Sequence, residues 1–374
     1  MASATPTQIW HDRVGSVLRR ADFVECPTVV GVFRNKIRSL RMAVHVDDIL
    51  ATGSTTELQW LEAVMRSEYQ ISAQVIGPGC TRSGKFLKRT ITWDTTGIIW
   101  EADPKHAQEI FTKWRSEKPR RIDVPVTNEA NHPSTGDPLS REAARNFRSA
   151  AARVQYLSHD RADLGLATCI LASKMAEPRQ SDLKLLRRVG DYLYSHPTAR
   201  LNFKWNSSQK RCLTVFTDSD WANAEDTRRS KSGGALLYRG HTILTYCRIQ
   251  ECIALSSGEA ELKAICRGMA EALGIRQVLE FLQGCECPIE HFTDSAAAFG
   301  IVKRKGAGAI KHLSVRQLWT QEVFRQPSTS TEQLPRVHNP SDMLCSVSSV
   351  ESLNRHLRNL GFDAPAVAIA SEGG

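Results

Sequence analysis

Apolar positions in the first third of the chain follow strand spacing and helix spacing in turn. Residues 28–46 hold two short apolar runs around the polar segment RNKIRS, which predicts a β-hairpin. Residues 55–69 repeat apolar side chains at helical spacing and stop before a Gly-Pro-Gly turn signal. Two more strands are predicted at 85–93 and 97–100, and a helix follows the cap signal Asp103-Pro104.

The remaining two thirds begin with a break and continue with longer periodic segments. Prolines, asparagines and glycines concentrate at 116–140, which predicts a linker or long loop. The segments predicted after it are helices at 141–158, 162–176, 181–195, 257–283, 295–304, 312–325 and 349–360, and strands at 212–219, 234–239, 242–247, 289–293 and 334–338. Strands that first form a meander and then alternate with helices predict an α/β (α+β) fold, a mixed sheet flanked by helices.

Composition narrows the class of protein. A net charge of +9 and a pI near 9.1 favour polyanionic partners. The ten cysteines show no zinc-type spacing, and no basic-then-apolar leader follows Met1. The longest apolar run, around 164–172, is far shorter than the roughly 18 to 20 residues that span a bilayer. We therefore expect an intracellular protein, cytoplasmic or nuclear, that is not secreted and does not bind membranes.

An acidic pair, Asp47-Asp48, interrupts the apolar run VHVDDIL at residues 44–50. Two interpretations fit it. The aspartates could turn a hairpin, or they could hold a catalytic metal ion.

Four more acids stand where a predicted strand ends or a predicted helix begins: Asp218, Glu261, Asp294 and Asp342. Each has an ordinary structural interpretation, as a solvated strand end, a favourable charge at a helix start or an N-cap. Ser256 and Glu259 match a capping box, which gives Glu259 a structural task and leaves Glu261 without one. Together the four acids are a better candidate for a divalent-metal site, because hard cations such as Mg²⁺ take carboxylate oxygens.

Several segments resemble, in the same order, the ribonuclease H domain of Ty1/copia-type retrotransposon Pol polyproteins: TDSDWANAEDTRRSKSGGALLYRG, SSGEAELKAI, FTDSAAAFGIV, KHLSVRQLW and NPSDML. The most specific of them is DTRRSKSGG, residues 226–234. Upstream, VHVDDIL resembles the Tyr-Val-Asp-Asp-Ile-Leu motif of that family's reverse transcriptase. The helical stretch ARVQYLSHDRADLGLATCILASKMAEP resembles its connecting region.

The resemblance implies a domain order and an activity. It implies the C-terminal remainder of a reverse transcriptase palm at 1–115, a linker and helical thumb or connection at 116–208, a ribonuclease H-like domain at 209–362 and a disordered tail at 363–374. Carried over by motif, the catalytic and metal-binding acids are Asp218, Glu261, Asp294 and Asp342. The implied reaction is endonucleolytic cleavage of the RNA in RNA–DNA hybrids with Mg²⁺ or Mn²⁺, which makes the chain a hydrolase.

The polymerase half departs from the family pattern. The family has a further catalytic aspartate and fingers residues upstream of the Asp-Asp pair, and we expect that region to be missing from this chain. His45 also replaces the usual tyrosine. Asp47 and Asp48 then remain as metal ligands without a third carboxylate, so we expect no DNA polymerase activity from this chain alone. The alternative for the whole chain is a retroelement remnant that binds nucleic acid without catalysis.

Basic residues near these acids are candidates for nucleic-acid binding: Arg228, Arg229, Lys303, Arg304, Lys305 and Lys311. A solvated helix end explains the lysine-rich run equally well before the family is considered. In the family context they predict contacts with the phosphates of an RNA–DNA hybrid. Other segments of a retroelement polyprotein are further candidate partners.

Overall fold

The computed structural model describes residues 5–118, 120–205, 209–306, 308 and 315–363. The chain divides into two compact units. The first unit holds Met1–Ile99 and Leu273–Cys287, and the second holds Trp100–Ala272 and Pro288–Gly374.

Over residues 5–101 the structure has two helices and seven short strands. In chain order they are α1 (Pro6–Arg20), β1 (Val24–Glu25), β2 (Val32–Asn35), β3 (Leu40–His45), β4 (Asp48–Thr52), α2 (Thr55–Glu68), β5 (Ser83–Phe86), β6 (Arg89–Asp94) and β7 (Gly97–Glu101). Strands β1 to β4 form an antiparallel sheet in sequence order. The hairpin predicted at 28–46 is confirmed as β2 and β3, whose Phe33 and Leu40 are fully buried in the core of this unit.

The single strand predicted at 85–93 is wrong, because the structure has two strands there. Leu87 and Lys88 separate β5 from β6 and have positive φ angles of 49° and 66°. Two consecutive left-handed residues make a tight hairpin turn whose twist suits the flanking strands. Neither residue belongs to the types that signal such a turn, so the sequence pattern did not show it.

Beyond residue 101 the chain first forms helices and then a mixed sheet. The elements are α3 (Pro104–Trp114), α4 (Arg141–Ser158), α5 (Gly165–Ser173), α6 (Asp182–Ser195), β8 (Arg200–Lys204), β9 (Leu213–Asp220), β10 (Lys231–Tyr238), β11 (His241–Ile249), α7 (Ser257–Gln283), β12 (Ile289–Thr293), α8 (Ala296–Lys303), α9 (Val315–Val323), β13 (Thr329–Gln333), α10 (Asp342–Cys345) and α11 (Val350–Asn359). The three helices predicted from 141 to 195 are confirmed. Their fully buried residues include Phe147, Val154, Leu186 and Tyr192.

The five-stranded sheet of the second unit has the order β11-β10-β9-β12-β13. Strands β11, β10 and β9 form an antiparallel meander, whereas β12 runs parallel to both β9 and β13. The predicted α/β (α+β) class with a mixed sheet is confirmed. Strand β9 lies at the centre, so side chains at its end are shielded by elements on both sides.

The strand predicted at 334–338 lies five residues earlier, at β13. Pro335 lacks the N–H that a strand ladder needs, and Arg336–His338 forms a single 3-10 turn instead. Of the predicted tail, 364–374 lies outside the described residues. The predicted division into palm, connection and ribonuclease H parts stays a prediction. No described helix is both long and apolar enough to cross a membrane.

Candidate metal centre

Three of the predicted acids lie close together at one end of the neighbouring strands β9 and β12. Asp218 is near the end of β9, Asp294 directly follows β12, and Glu261 is in the first turns of α7. The parallel register pairs Phe216 with Phe292, so each aspartate follows its paired phenylalanine by two residues. One carboxylate oxygen from each of the three acids lies within 4.8 Å of the others. The geometry thus joins residues that are up to 76 positions apart in the chain (294 − 218).

The three carboxyl groups share a poorly solvated space. Asp218 is only 4% exposed and Glu261 only 8%. Burial, together with the charge of Asp294, raises the pKa of Asp218 to about 7. Burial and the charges of Asp218 and Asp294 raise the pKa of Glu261 to about 9, and burial also raises the pKa of Asp294. Ionising all three is therefore unfavourable unless positive charge is added.

The donor set fits a divalent cation. Glu261 Oε1 accepts a hydrogen bond from the Ser219 N–H at 3.2 Å. Glu261 Oε2 is buried and has no hydrogen-bond partner among the described residues. A buried oxygen without a partner is costly, and three carboxylate oxygens are the ligand type that Mg²⁺ and similar hard cations prefer.

The fourth predicted acid, Asp342, is engaged differently. It begins α10, and its Oδ1 accepts hydrogen bonds from Arg336 Nη2 at 2.6 Å and Nε at 2.9 Å. It is outside the cluster of three acids, although its charge contributes to the raised pKa of Asp218. The structure therefore brings Asp218, Glu261 and Asp294 together and pairs Asp342 with a guanidinium.

Two side chains that sequence reasoning missed hold the aspartates. The Cys345 thiol donates to Asp218 Oδ2 at 2.7 Å. Asn339 Nδ2 donates to the Thr217 carbonyl at 3.0 Å and to Asp294 Oδ1 at 3.5 Å. Both residues lie three positions from Asp342, on either side of it. That proximity was the available signal, but the residue types alone did not point to a carboxylate contact.

The capping box predicted at the start of α7 is confirmed. The Glu259 N–H donates to Ser256 Oγ at 3.2 Å, and Glu259 Oε2 accepts from the Leu255 N–H at 2.8 Å. Lys263 also pairs with Glu259 at 2.9 Å. Glu259 is thus engaged in capping the start of α7, which leaves Glu261 to face Asp218.

The other acidic pair lies in a different environment in the first unit. Asp47 and Asp48 are exposed where Val46 and Asp47 connect β3 to β4, and Val46 has a φ of 54°. No third metal-ligating residue gathers with them in the part of the chain that the structure describes. The structure therefore shows Asp47 and Asp48 in a hairpin turn and does not complete a metal site around them.

The predicted basic residues are mostly accessible. Arg228, Arg229, Lys303 and Lys305 are exposed, and Arg304 is half-buried. Lys311 lies outside the described residues. Exposed cations flank the segments that carry Asp218 and Asp294, which is compatible with phosphate contacts.

Comparison with known proteins shows similarity to retrovirus-related Pol polyproteins. Over 315 residues the chain is 22% identical to the retrovirus-related Pol polyprotein from transposon TNT 1-94 of Nicotiana tabacum, which covers 82% of this chain and 23% of the polyprotein. It is 28% identical over 245 residues to the uncharacterized mitochondrial protein AtMg00810 of Arabidopsis thaliana, covering 62% of this chain and 92% of that protein. The chain is thus similar, over much of its length, to retrovirus-related Pol polyproteins of copia-type transposons. It spans about a quarter of the tobacco polyprotein's length.

Two further similarities each cover about a third of this chain. A 128-residue stretch is 32% identical to the secreted RxLR effector protein 161 of Plasmopara viticola, covering 34% of this chain and 89% of that protein. Among solved structures, LC11-RNase H1, isolated from compost by a metagenomic approach, is 15% identical with a TM-score of 0.28, covering 36% of this chain and 94% of that one. No family model matches the chain.

Proposed function

We propose that the second unit is a ribonuclease H-type nuclease that cleaves the RNA strand of RNA–DNA hybrids with Mg²⁺ or Mn²⁺. The observation that carries the proposal is the convergence of Asp218, Glu261 and Asp294 within 4.8 Å, with one buried Glu261 oxygen lacking a partner. The similarity to retrovirus-related Pol polyproteins supports the same proposal. We further propose an intracellular site of action, cytoplasmic or nuclear, with other segments of the polyprotein as partners.

The residues of this chain would have distinct tasks. Asp218, Glu261 and Asp294 would supply oxygen ligands, and Asn339 and Cys345 would hold the aspartates in place through their hydrogen bonds. The chemistry that a pair of divalent cations supplies at such a site is activation of the attacking water and stabilisation of the leaving oxygen. We include Asp342 as a fourth acid that becomes available when the bound substrate's phosphates compete for Arg336.

Substrate binding would rest on charge and shape. Arg228, Arg229, Lys303, Arg304 and Lys305 would contact phosphates, and Lys311 remains part of the proposal from sequence alone. A-form-like hybrids are recognised by groove shape and 2′-hydroxyl contacts more than by base sequence. The proposal therefore predicts little sequence preference and strong salt dependence.

We propose that Asp47 and Asp48 do not support DNA polymerase activity in this chain alone. Their exposed position on a turn supports this, since two carboxylates on one hairpin leave a two-cation site short of ligands. Primer extension on an RNA template by the purified chain would contradict this part of the proposal.

Cleavage of a labelled hybrid in Mg²⁺ tests the nuclease directly. We expect cleavage by the wild type, none detectable with Asp294→Asn, and normal cleavage with Asp94→Asn, a partly buried acid at the end of β6 in the first unit. Equal cleavage by wild type and Asp294→Asn would mean a contaminating nuclease and would remove the claim. Hybrid binding without cleavage by the wild type would instead favour the non-catalytic alternative.

A further inference from the structure

An exposed apolar patch lies next to the candidate metal centre and is not used by the chemistry proposed above. It consists of Trp221, Ile253 and Leu255, which are 53%, 51% and 67% exposed. The Trp221 indole N–H donates to the Ala254 carbonyl at 3.0 Å, which holds the tryptophan against the segment that carries the other two. Single exposed apolar residues are ordinary, whereas three held together beside a site indicate a contact surface.

The patch is tied to the same two elements that carry the acids. Trp221 directly follows β9 and is three residues after Asp218. The Leu255 N–H donates to Glu259 Oε2 at 2.8 Å, and Glu259 lies in the same helical turn as Glu261. The Ser219 N–H donates to Glu261 Oε1, so β9 and the start of α7 meet at this point.

The loop that begins at Trp221 adds positive charge. It connects β9 to β10, and the Ala222 N–H donates to Ser230 Oγ at 3.0 Å, which brings the two ends of the loop together. Of its two acids, Asp226 pairs with Lys174 at 3.0 Å, and Glu225 lies 2.9 Å from the His132 ring nitrogen Nδ1. Arg228 and Arg229 follow and are exposed. The loop therefore presents an aromatic ring at one end and two guanidinium groups near the other.

This combination of surfaces fits one kind of occupant. The wide, shallow minor groove of an A-form-like duplex exposes sugar rings, which offer C–H edges beside their 2′-hydroxyls, and phosphates border it. An indole offers a large apolar face with little entropy to lose, and arginine contacts phosphate in a bidentate manner. Because the patch is apolar at its centre and basic at its edge, it complements a nucleic-acid strand in charge as well as in polarity.

We propose that Trp221, Ile253 and Leu255 form a minor-groove contact surface for the RNA–DNA hybrid, with Arg228 and Arg229 on its phosphates. The inference rests on the proposed function, since it places the substrate of that site. It goes further in naming where the duplex is held and by which chemistry. Trp221 is the main contact, because an aromatic ring offers a large, rigid apolar face.

Binding measured without divalent cations separates this inference from the nuclease itself. In EDTA, we expect Trp221→Ala to weaken the anisotropy-measured affinity for a labelled hybrid about tenfold or more, as for a central interface residue. Trp221→Phe keeps a ring and should recover most of the affinity. Trp205→Ala, a 57% exposed tryptophan after β8, is the matched control and should bind like the wild type.

Salt dependence distinguishes the apolar contacts from the charged ones. Trp221→Ala should leave the slope of log affinity against log salt unchanged, whereas Arg228→Ala or Arg229→Ala should reduce it by about one each. Circular dichroism of each variant checks that the fold is kept. A reduced slope in Trp221→Ala would mean that the loop had moved and would overturn the role assigned to the ring.

The remaining outcomes decide between occupants. Hybrid affinity within twofold of wild type in both Trp221→Ala and Leu255→Ser would overturn the inference, even if cleavage is observed. Weakened binding of single-stranded RNA but not of the hybrid would replace the minor-groove contact by base stacking. Self-association that Leu255→Ser abolishes would assign the patch to a second copy of the chain. Trp221-dependent hybrid binding without any cleavage would support the surface while removing the nuclease.

Discussion

The two acidic clusters of this molecule look alike in sequence and differ in structure. Asp47 and Asp48 are adjacent in the chain, occupy one hairpin and are exposed to solvent. Asp218, Glu261 and Asp294 come from β9, α7 and the end of β12, and their oxygens converge within 4.8 Å. Water stabilises the charges of the first cluster. The second cluster is largely screened from water, so its charges need a cation.

This contrast shows which property of acidic residues indicates chemistry. Adjacent acids on a tight turn have full access to solvent and need no partner. Acids brought together by separate elements stay close only because the packing of the sheet and α7 holds them there. The free energy that opposes this crowding is visible in the raised pKa values of Asp218 and Glu261.

The largest expected difference between the two clusters is in the rate of hybrid cleavage after one acid of each is neutralised. Asp218→Asn should lower the rate of hybrid cleavage by roughly a thousandfold or more, because residues that act as a unit lose most of their activity together. Asp47→Asn should leave the rate within about twofold. Single-turnover cleavage of a labelled hybrid measures both, and equal losses in the two variants would erase the distinction between the clusters.

The second comparison measures cation binding rather than activity. Mn²⁺ at about 100 times its dissociation constant should stabilise the folded chain by about 2.7 kcal/mol. Glu261→Gln removes the negative charge of one ligand carboxylate and should abolish most of this Mn²⁺-dependent stabilisation. Asp48→Asn should retain the stabilisation. Thermal unfolding with and without Mn²⁺ provides the measurement. Loss of the gain in Asp48→Asn instead would locate the cation in the first unit.

The sequence predicted the elements that are specified by local signals better than the contacts between residues that are distant in the chain. The bounds of α7 and β12 were predicted correctly, because a capping box, an apolar stripe and short bounded strands are local signals. Strand β13 was misplaced by five residues, since its Thr-rich segment carries no long apolar run. The thiol contact of Cys345 with Asp218 joins residues 127 positions apart, so it depends on tertiary packing, which no single segment encodes.

His291 tests how tightly the sheet beneath the acids is packed. It is fully buried on β12, between the hydroxyls of Thr217 and Thr331 at 2.9 Å each, and burial lowers its pKa to about 3. The unfolded chain takes up this proton near pH 6.5 while the folded chain does not. Stability is therefore lost as pH falls from about 6.5 towards 3, by about 2 kcal/mol at pH 5.

A variant isolates that contribution from other groups. His291→Gln keeps hydrogen-bonding capacity but cannot titrate, so the stability difference between wild type and variant should be constant above pH 7. Between pH 6.5 and 5 the wild type should lose about 2 kcal/mol relative to the variant. Urea unfolding at several pH values measures this difference. A difference that stays constant down to pH 5 would show that the histidine is protonated in the folded state.

The smallest expected effect comes from removing a single hydrogen bond to one acid of the buried cluster. Cys345 is fully buried on α10, and its thiol donates to Asp218 Oδ2 at 2.7 Å. Cys345→Ala removes this donor and should lower cleavage about tenfold through a looser Asp218, and should also weaken Mn²⁺ binding. Cys345→Ser retains a donor and should restore most of both, which a purely structural role would not require. Cys80→Ser, at an exposed cysteine of the first unit, should change neither quantity. If Cys345→Ala and Cys345→Ser bind Mn²⁺ equally well, the position of Asp218 depends on sheet packing alone, because the hydrogen bond would then contribute nothing to it.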